Sequence, residues 1–292
     1  MNYEILSKAS CRRLALALVA ALSFGALLAP PLAAQVPARF YWKTLSGANA
    51  VPLIYNSMSG NTNPFDPAHL VSPGADIEAS LAIAGYGRTF TLFGRGALVA
   101  VLLPMGNISG QVAAAGQTLS ETARGFCDPT FELDINLIGP PAQKSLVDVL
   151  RYEPGFSLDL IVDLAVPIGE YDNSRSLNLG QNRWYGRVGA PIVWQLGPWV
   201  PGRRTTLEFL PAVWLFGDND DFGGKTLQTD PMFQLDAHLT RDLTAHLWGS
   251  LDGTWYQGGK ATIDGVSGEK LNNVGVGLTL GYTVNENLNM TV

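Results

Sequence analysis

After residue 34 the chain sets its apolar residues two apart, segment after segment, and never runs them together for long. Phe131, Leu133, Ile135 and Leu137 alternate with Glu132, Asp134 and Asn136. Phe156, Leu158, Leu160, Val162 and Leu164 alternate with Ser157, Asp159 and Asp163. The same period returns over 207–215, 233–239 and 274–282. A period of two is that of a strand with one apolar and one polar face. The longest apolar run, Ala97 to Pro104, is eight residues and ends at a proline, against the roughly 20 that a membrane-spanning helix needs. Alternation alone fits both a soluble sandwich and a closed sheet in lipid.

The N-terminus narrows the choice, and turn lengths help decide it. Lys8, Arg12 and Arg13 precede an apolar stretch from Leu14 to Leu28, and Leu32-Ala33-Ala34 offers a small-residue end. Residues 1–34 read as a secretory signal cut before Gln35. Cutting there removes Glu4 with the three basic residues, so net charge −6 becomes −8. It also removes Cys11 and leaves Cys127 alone, which excludes an intrachain disulfide. Only 15% of residues are charged, against about 25% in soluble domains. An exported chain this apolar, without a helical span, crosses a membrane as a barrel, because the backbone must be satisfied internally in lipid. The acidic balance gives no footprint for nucleic acid.

Strands are expected at 48–57, 74–86, 89–103, 127–138, 155–167, 182–196, 204–216, 230–240, 244–257 and 272–284. Connections at one end are long: 58–73, 104–126, 168–181, 217–229 and 258–271. At the other end, 87–88, 241–243 and 285–287 are short and 197–203 is intermediate. The exception is 139–154, where Ala142 to Arg151 reads as a short helix. Long loops alternating with short turns mark an outer-membrane barrel. The short turns predict cross-strand pairs that share a face: Ser80 with Arg95, His238 with His246, and Val284 with Leu288. Trp184 and Trp194 share a face of one strand, about 25 Å apart along the membrane normal, the height of the apolar band. With Trp214 and Trp255 they are the candidate interface aromatics. The expected fold is all-β, an antiparallel transmembrane β-barrel over residues 35–292. Residues 287–292 start an eleventh strand and stop, without a terminal aromatic. Since single-chain bacterial barrels have an even count, about 12 strands are expected when complete, with the last ones truncated here.

Several longer motifs go beyond pattern. They are Ser46 to Ile54 (SGANAVPLI), Ser59 to Pro67 (SGNTNPFDP), Pro167 to Asn173 (PIGEYDN), Asn178 to Trp184 (NLGQNRW), Phe216 to Phe222 (FGDNDDF) and Leu251 to Gly259 (LDGTWYQGG). In these the chain resembles the MetA-pathway of phenol degradation family over essentially its whole mature length. The resemblance implies an outer-membrane barrel of Gram-negative bacteria, transporter-like and associated with aromatic catabolism. It carries over no substrate-site residues, and it departs at the C-terminus, where family members continue with further strands.

If apolar faces meet lipid, the opposite faces line a lumen. The candidate lumen residues are Glu78, Arg95, Glu132, Asp134, Asp159, Asp163, Arg187, Glu208, Asp236, His238, His246 and Asp252. They form either an acidic conduit or a hydrogen-bonded filling. A metal held by His238, His246 and a third ligand from Asp236 or Asp252 is the weaker reading than ordinary lumen polar groups. The loop Asp218 to Asp221 reads as solvated, since its spacing is not that of a calcium loop. His246, Ser250 and Asp252 share a strand face, but His246 and Ser250 lie about 13 Å apart along it, too far for nucleophilic catalysis. Lys225-Thr226 does not complete a phosphate loop. The function expected is therefore a non-enzymatic outer-membrane channel or transporter for small molecules, aromatic or hydrophobic ones among them, with no cofactor. Its partners are the lipid bilayer and a small solute. The alternative is a structural barrel with a closed lumen, and a barrel-type hydrolase ranks below both.

Overall fold

The computed structural model describes residues 36–68, 75–114, 117–145, 147–148, 155–285 and 287–292; the leader expected over 1–34 lies outside them. Eighteen strand segments are present: β1 (Asn49–Ala50), β2 (Leu53–Gly60), β3 (Ala75–Leu92), β4 (Arg95–Ala114), β5 (Gln117–Phe126), β6 (Thr130–Ile138), β7 (Phe156–Ala165), β8 (Tyr185–Gly189), β9 (Ile192–Gln195), β10 (Thr205–Phe216), β11 (Asn219–Phe222), β12 (Lys225–Thr229), β13 (Met232–Asp242), β14 (Leu247–Gly258), β15 (Ala261–Ile263), β16 (Val266–Ser267), β17 (Leu271–Asn285) and β18 (Leu288–Thr291). Fourteen of them make one antiparallel sheet, and β11, β12, β15 and β16 make a second. No helix among the described residues is long and apolar enough to cross a membrane.

Three strands of the large sheet are interrupted, and two of the breaks fall at proline. β1 and β2 pair with β3 in one continuous register, broken where Pro52 has no N–H to donate; its carbonyl still accepts from Gly85 N at 3.0 Å. β8 and β9 likewise share their register against β7 and β10, and Pro191 stands in the gap. Merging the halves leaves eleven strands in the wall, running from β1–β2 to β18. The barrel is not closed, because these two edges do not pair with each other among the described residues.

The third interruption changes the phase of one strand of the wall, β5–β6, while β3 and β4 run past it in one register. Met105 pairs with Phe126, but Leu102 pairs with Thr130, so the Cys127–Pro129 segment holds one extra residue, a β-bulge. Odd-numbered residues point inward on β5, and even-numbered ones on β6. Above the bulge, Ile77, Ala79, Leu81, Ile108, Ala123 and Cys127 pack with Phe65 and Leu179 into an apolar core. Gly106 and Gly110 make room for it: a Cβ on the first would lie 2.9 Å from the Phe65 ring, and on the second 2.7 Å from Leu177. Arg183, fully buried, ties the loops over this core by bonding Thr229 at 2.7 Å and Asp66 at 3.2 Å.

Several sequence expectations need correction. The first hairpin turns at Phe93-Gly94, not at Gly87-Arg88: both turn residues have positive φ, 49° and 78°, as a two-residue type I′ turn requires. Phenylalanine carries no signal for that conformation, so the turn was not legible. Ser80 consequently pairs with Asn107 rather than Arg95. The segment 104–126 is not a loop, since β4 and β5 run through it. The hairpin after β13 turns over four residues, 243–246, which pairs His238 with Asp252 and leaves His246 in the turn. Both displacements are even, so the faces are unchanged although the partners are wrong. The last hairpin has the expected register at Gly281–Thr291 and Tyr282–Met290, but a bulge near the turn sets Asn285, not Val284, opposite Leu288. Of the helix expected over Ala142 to Arg151, residues 142–145 and 147–148 are described. Val147 and Asp148 are helical, and the Asp148 carboxylate accepts from the Lys144 and Ser145 amides at 3.1 and 3.0 Å. Asp218 to Asp221 is largely strand β11 rather than open loop.

Candidate lumen and its acidic belt

Below the bulge, the wall strands β6, β7, β8, β10, β13 and β14 turn most of their polar residues inward because their alternate residues are apolar. Ladder pairing then sets these residues side by side around the interior: Glu132 opposite Asp163, Asp163 opposite Arg187, Glu208 opposite His238, Asp236 opposite Thr254 and His238 opposite Asp252. The belt contains eight buried carboxylates, Glu132, Asp134, Asp159, Asp163, Glu208, Asp236, Asp242 and Asp252. Arg187 answers one of them, donating to Asp163 Oδ2 from Nε at 2.7 Å and from a terminal nitrogen at 2.6 Å.

The belt is a hydrogen-bond network as well as a charge ring. Trp214 Nε1 donates to Gln234 Oε1 at 2.6 Å, and Gln234 Nε2 donates to Asp236 Oδ2 at 2.7 Å. Thr254 closes on the other oxygen of Asp236 at 2.6 Å. Asp252 is the hub of a second group: His238 Nδ1 lies at 2.7 Å, and Ser250 and Thr279 donate at 2.5 and 2.6 Å. Ser250 and His238 thus both meet a carboxylate, whereas nucleophilic catalysis needs the imidazole between hydroxyl and acid. The network is not saturated. Asp134 Oδ2 and Asn136 Oδ1 have no protein partner although buried, and buried polar atoms are ordinarily paired with protein or water.

Residues 36–48, ahead of the first strand, run through this interior. Arg39 reaches Asp242 at 2.7 Å and Thr240 at 3.1 Å, and its backbone N–H donates to Glu208 at 2.8 Å. Trp42 Nε1 donates to the other Glu208 oxygen at 2.8 Å, and Lys43 pairs with Asp159. The Arg39 guanidinium sits between the rings of Trp42 and Trp248, 4.2 and 4.3 Å from their centroids. Tyr41 and Val36 pack against Ile161, Leu210 and Ala212.

Of the sequence-predicted lumen residues, nine meet on the inward face: Glu132, Asp134, Asp159, Asp163, Arg187, Glu208, Asp236, His238 and Asp252. Three do not join them. Glu78 is on the outward, exposed face of β3, since the interior at that height is apolar. Arg95 lies at the first hairpin and donates to the Gly139 carbonyl at 2.8 Å. His246 is exposed, its ring nitrogen 2.9 Å from the Thr283 carbonyl. His238 and His246 are therefore not cross-strand neighbours, which removes the metal pair considered from the sequence. Among the interface aromatics, Trp184 and Trp194 are each 52% exposed on the outer face, and Trp255 is beside Asn272 and Phe233. Trp214 is instead on the inward face with Gln234 and Arg187; it occupies an even position of β10, as Glu208 does. Arg39, Tyr41, Trp42, Lys43, Gln234 and Asp242 were missed. The cue for the first four was a basic, aromatic stretch ahead of the first strand in an otherwise acidic chain.

At the end with the long loops, Glu170, Tyr171, Asp172, Arg175, Asn178 and Asp221 line a cavity of about 470 Å³. Tyr171 donates to the Asp221 carbonyl at 2.9 Å, and partial burial raises its phenol above the ordinary range. The Ser174 hydroxyl and amide hold Asp172 below the usual carboxylate range.

Residues 55–292 match the family model described as "Putative MetA-pathway of phenol degradation". The chain belongs to this family. No curated protein sequence matches it. Its fold is similar to that of a solved COG4313 outer membrane channel from Pseudomonas putida F1, with a TM-score of 0.68 and 19% identity, over 86% of this chain and 88% of that one. This family member therefore has the fold of an outer-membrane channel.

Proposed function

We propose that the chain is an outer-membrane channel that passes small molecules, aromatic or hydrophobic ones among them, through the interior lined by the acidic belt. The observation that carries this reading is the belt itself. A sheet that turns apolar residues outward below the bulge and eight carboxylates inward is built for lipid outside and a polar path inside. Oxygens without a protein partner on Asp134 and Asn136 fit a path that exchanges its occupants better than a finished core does. Trp214, half-buried on the inward face, gives that path an aromatic ring on which an aromatic solute can stack. The long-loop end then faces outside the cell and the short turns face the periplasm of a Gram-negative bacterium. Residues 1–34 serve as the export signal, and residues 35–292 form the barrel. The channel performs no covalent chemistry, in line with the carboxylate-centred arrangement of Ser250, Asp252 and His238.

The test is reconstitution of the purified barrel in liposomes, with uptake of labelled phenol and of a similarly sized aliphatic solute measured against empty vesicles. Flux above the empty-vesicle rate is expected. No excess flux from protein with intact heat-modifiable mobility on gels overturns the reading, and release of fatty acid or peptide fragments by the same preparation would replace it with an enzymatic one.

A further inference from the structure

We propose that the interior sorts aromatic solutes by charge, passing neutral and cationic ones and turning away aromatic anions, and that Glu208 and Asp252 set this choice through their field. The inference rests on the channel reading above and names the class of solute that the path takes.

The belt is short of cations. Arg187 answers Asp163, Arg39 and Arg204 share Asp242, and Lys43 meets Asp159. Four arginine and lysine side chains thus stand against eight buried carboxylates. Among the described residues, Glu132, Asp134, Glu208, Asp236 and Asp252 form no ion pair with arginine or lysine. Counting His238 as a fifth cation leaves the carboxylates in excess.

Glu208 and Asp252 flank His238 on the two strands beside it, and each is held by three donors. Glu208 accepts from the Thr206 hydroxyl at 2.7 Å, the Trp42 indole and the Arg39 N–H. Asp252 accepts from the Ser250 and Thr279 hydroxyls and meets His238 Nδ1. A proton on either carboxyl would confront one of those donors, so both stay ionised. Hydroxyl, indole and amide groups fix the oxygens without cancelling their charge. With apolar residues outside, the passage has low-dielectric walls lined by one sign, an arrangement that concentrates ions of the other sign. A solute anion brings like charge to that wall, and such juxtaposition suppresses the wrong partner.

The charged pair lies beyond an aromatic stretch of the same wall. At the loop-ward end Trp214 stands opposite Met232, and Trp214 and Phe216 pack against Met232, Tyr256 and Leu271. Gln234 and Asp236 come next along β13, and then His238 between Glu208 and Asp252. Arg187 lies 5.3 Å from the Trp214 ring, but Asp163 answers its charge. The six residues of β10 from Trp214 to Glu208 span about 20 Å, within the ~30 Å over which charges act at about 0.01 M salt. A ring that rests on Trp214 therefore already senses the pair. Both carboxylates are buried, so they act on it through the field rather than by contact.

The experiment measures uptake of benzyltrimethylammonium and of benzenesulfonate, two rings of fixed and opposite charge, by liposomes holding the wild-type chain, Asp252→Asn or Glu208→Gln. Gel mobility before and after heating confirms that each barrel is folded. At about 0.01 M salt the wild type is expected to take up the cation about ten times faster than the anion, the lower end of such focusing effects. That preference is expected to fall several-fold at about 1 M salt, where the screening length is ~3 Å. Each variant is expected to lower the low-salt preference, and Glu78→Gln, on the outward exposed face, to leave it unchanged. The salt series on the wild type decides the matter even if neither variant folds. Equal uptake of the two ions, a preference for the anion, or a preference indifferent to salt or to both folded variants overturns the charge sorting while leaving a channel. Phenol flux with neither ion entering does the same. Absence of flux of phenol and of both ions from folded protein overturns the channel reading and this inference with it.

Discussion

Above the bulge at Cys127–Pro129, the wall turns Ile77, Leu81, Ile108 and Ala123 inward and Asp76, Glu78, Asn107 and Arg124 outward. Below it, β6 and β7 turn Glu132, Asp134, Asp159 and Asp163 inward and Phe131, Leu133, Leu160 and Val162 outward. Both regions obey the same alternation, with opposite meaning. The hydrophobic effect sends apolar residues to whichever side is drier, so the inversion follows if water surrounds the upper strands and lipid the lower ones. The extra residue in the bulge lets one strand serve both. β3–β5 above the bulge enclose an apolar core closed by Phe65, Leu177 and Leu179. The belt below is a membrane wall with a polar interior.

The strongest way to break this contrast is to put a charge on the inward face of the upper region. Ile108 is fully buried, and truncating such a side chain to alanine costs about 2–5 kcal/mol. Ile108→Asp also strands a carboxylate among Phe65, Ile77 and Leu179, so no folded barrel is expected in heat-modifiability gels. The neighbouring Ser109→Asp faces outward and is expected to shift urea unfolding by less than about 0.5 kcal/mol. The reverse outcome would mean that the phase has been read backwards. Below the bulge the sensitive side is the outer one. Leu160 lies mid-strand on the outer face of β7, and Leu160→Arg is expected to cost ~2–4 kcal/mol in unfolding from lipid vesicles, the penalty of a cation at the bilayer midplane.

This contrast explains what was legible in the sequence. The alternation located nearly every wall strand, because the difference between lipid and lumen is written into each residue of β6, β7, β13 and β14. It did not reveal the inversion: Glu78 looked like Glu132, and nothing in a run of alternating residues says which side is wet. Phase also survived errors that partners did not. Misplacing the turns after β3 and β13 by an even number of residues kept Ser80 paired with its own face and left His238 on the inward one, yet replaced their neighbours Asn107 and Asp252 with Arg95 and His246; the face of Ser80, like that of Glu78, proved to be the outward one. The interior segment was hidden for another reason. Arg39, Trp42 and Lys43 find their partners more than a hundred residues away, on four different strands, and a segment fitted to a finished barrel has no period of its own.

The polar half is packed as well as charged, and one glycine measures how tightly. Gly281 of β17 lies opposite Trp248, whose ring occupies the place a Cβ would take. That ring is also one of the two that hold Arg39. Gly281→Ala is expected to cost ~1–3 kcal/mol by overpacking, read by urea unfolding, and to weaken the seat of the interior segment. A neutral result would show that Trp248 moves freely and that the lower interior is looser than the apolar core above.

The smallest effect tests the cause of the inversion. Met105 and Phe126 are cross-strand partners on the outer face just at the bulge, the second 61% exposed. The next outward pair above them is Asn107 and Arg124. Two residues of strand advance about 6.6 Å, or roughly 5 Å along the membrane normal at a 40° tilt. The outer face therefore changes from apolar to charged within the thickness of an interfacial layer, and the boundary of the bilayer belongs between these two pairs. Asn107→Arg is then expected to cost only ~0–1 kcal/mol, the value for a cation near the interface, with Met105→Arg falling between it and Leu160→Arg. If Asn107→Arg proved as costly as Leu160→Arg, lipid would reach past the bulge. The apolar interior above it would then owe nothing to surrounding water, and some constraint from the loops, centred on Phe65 and Leu179, would have to explain why the wall changes phase.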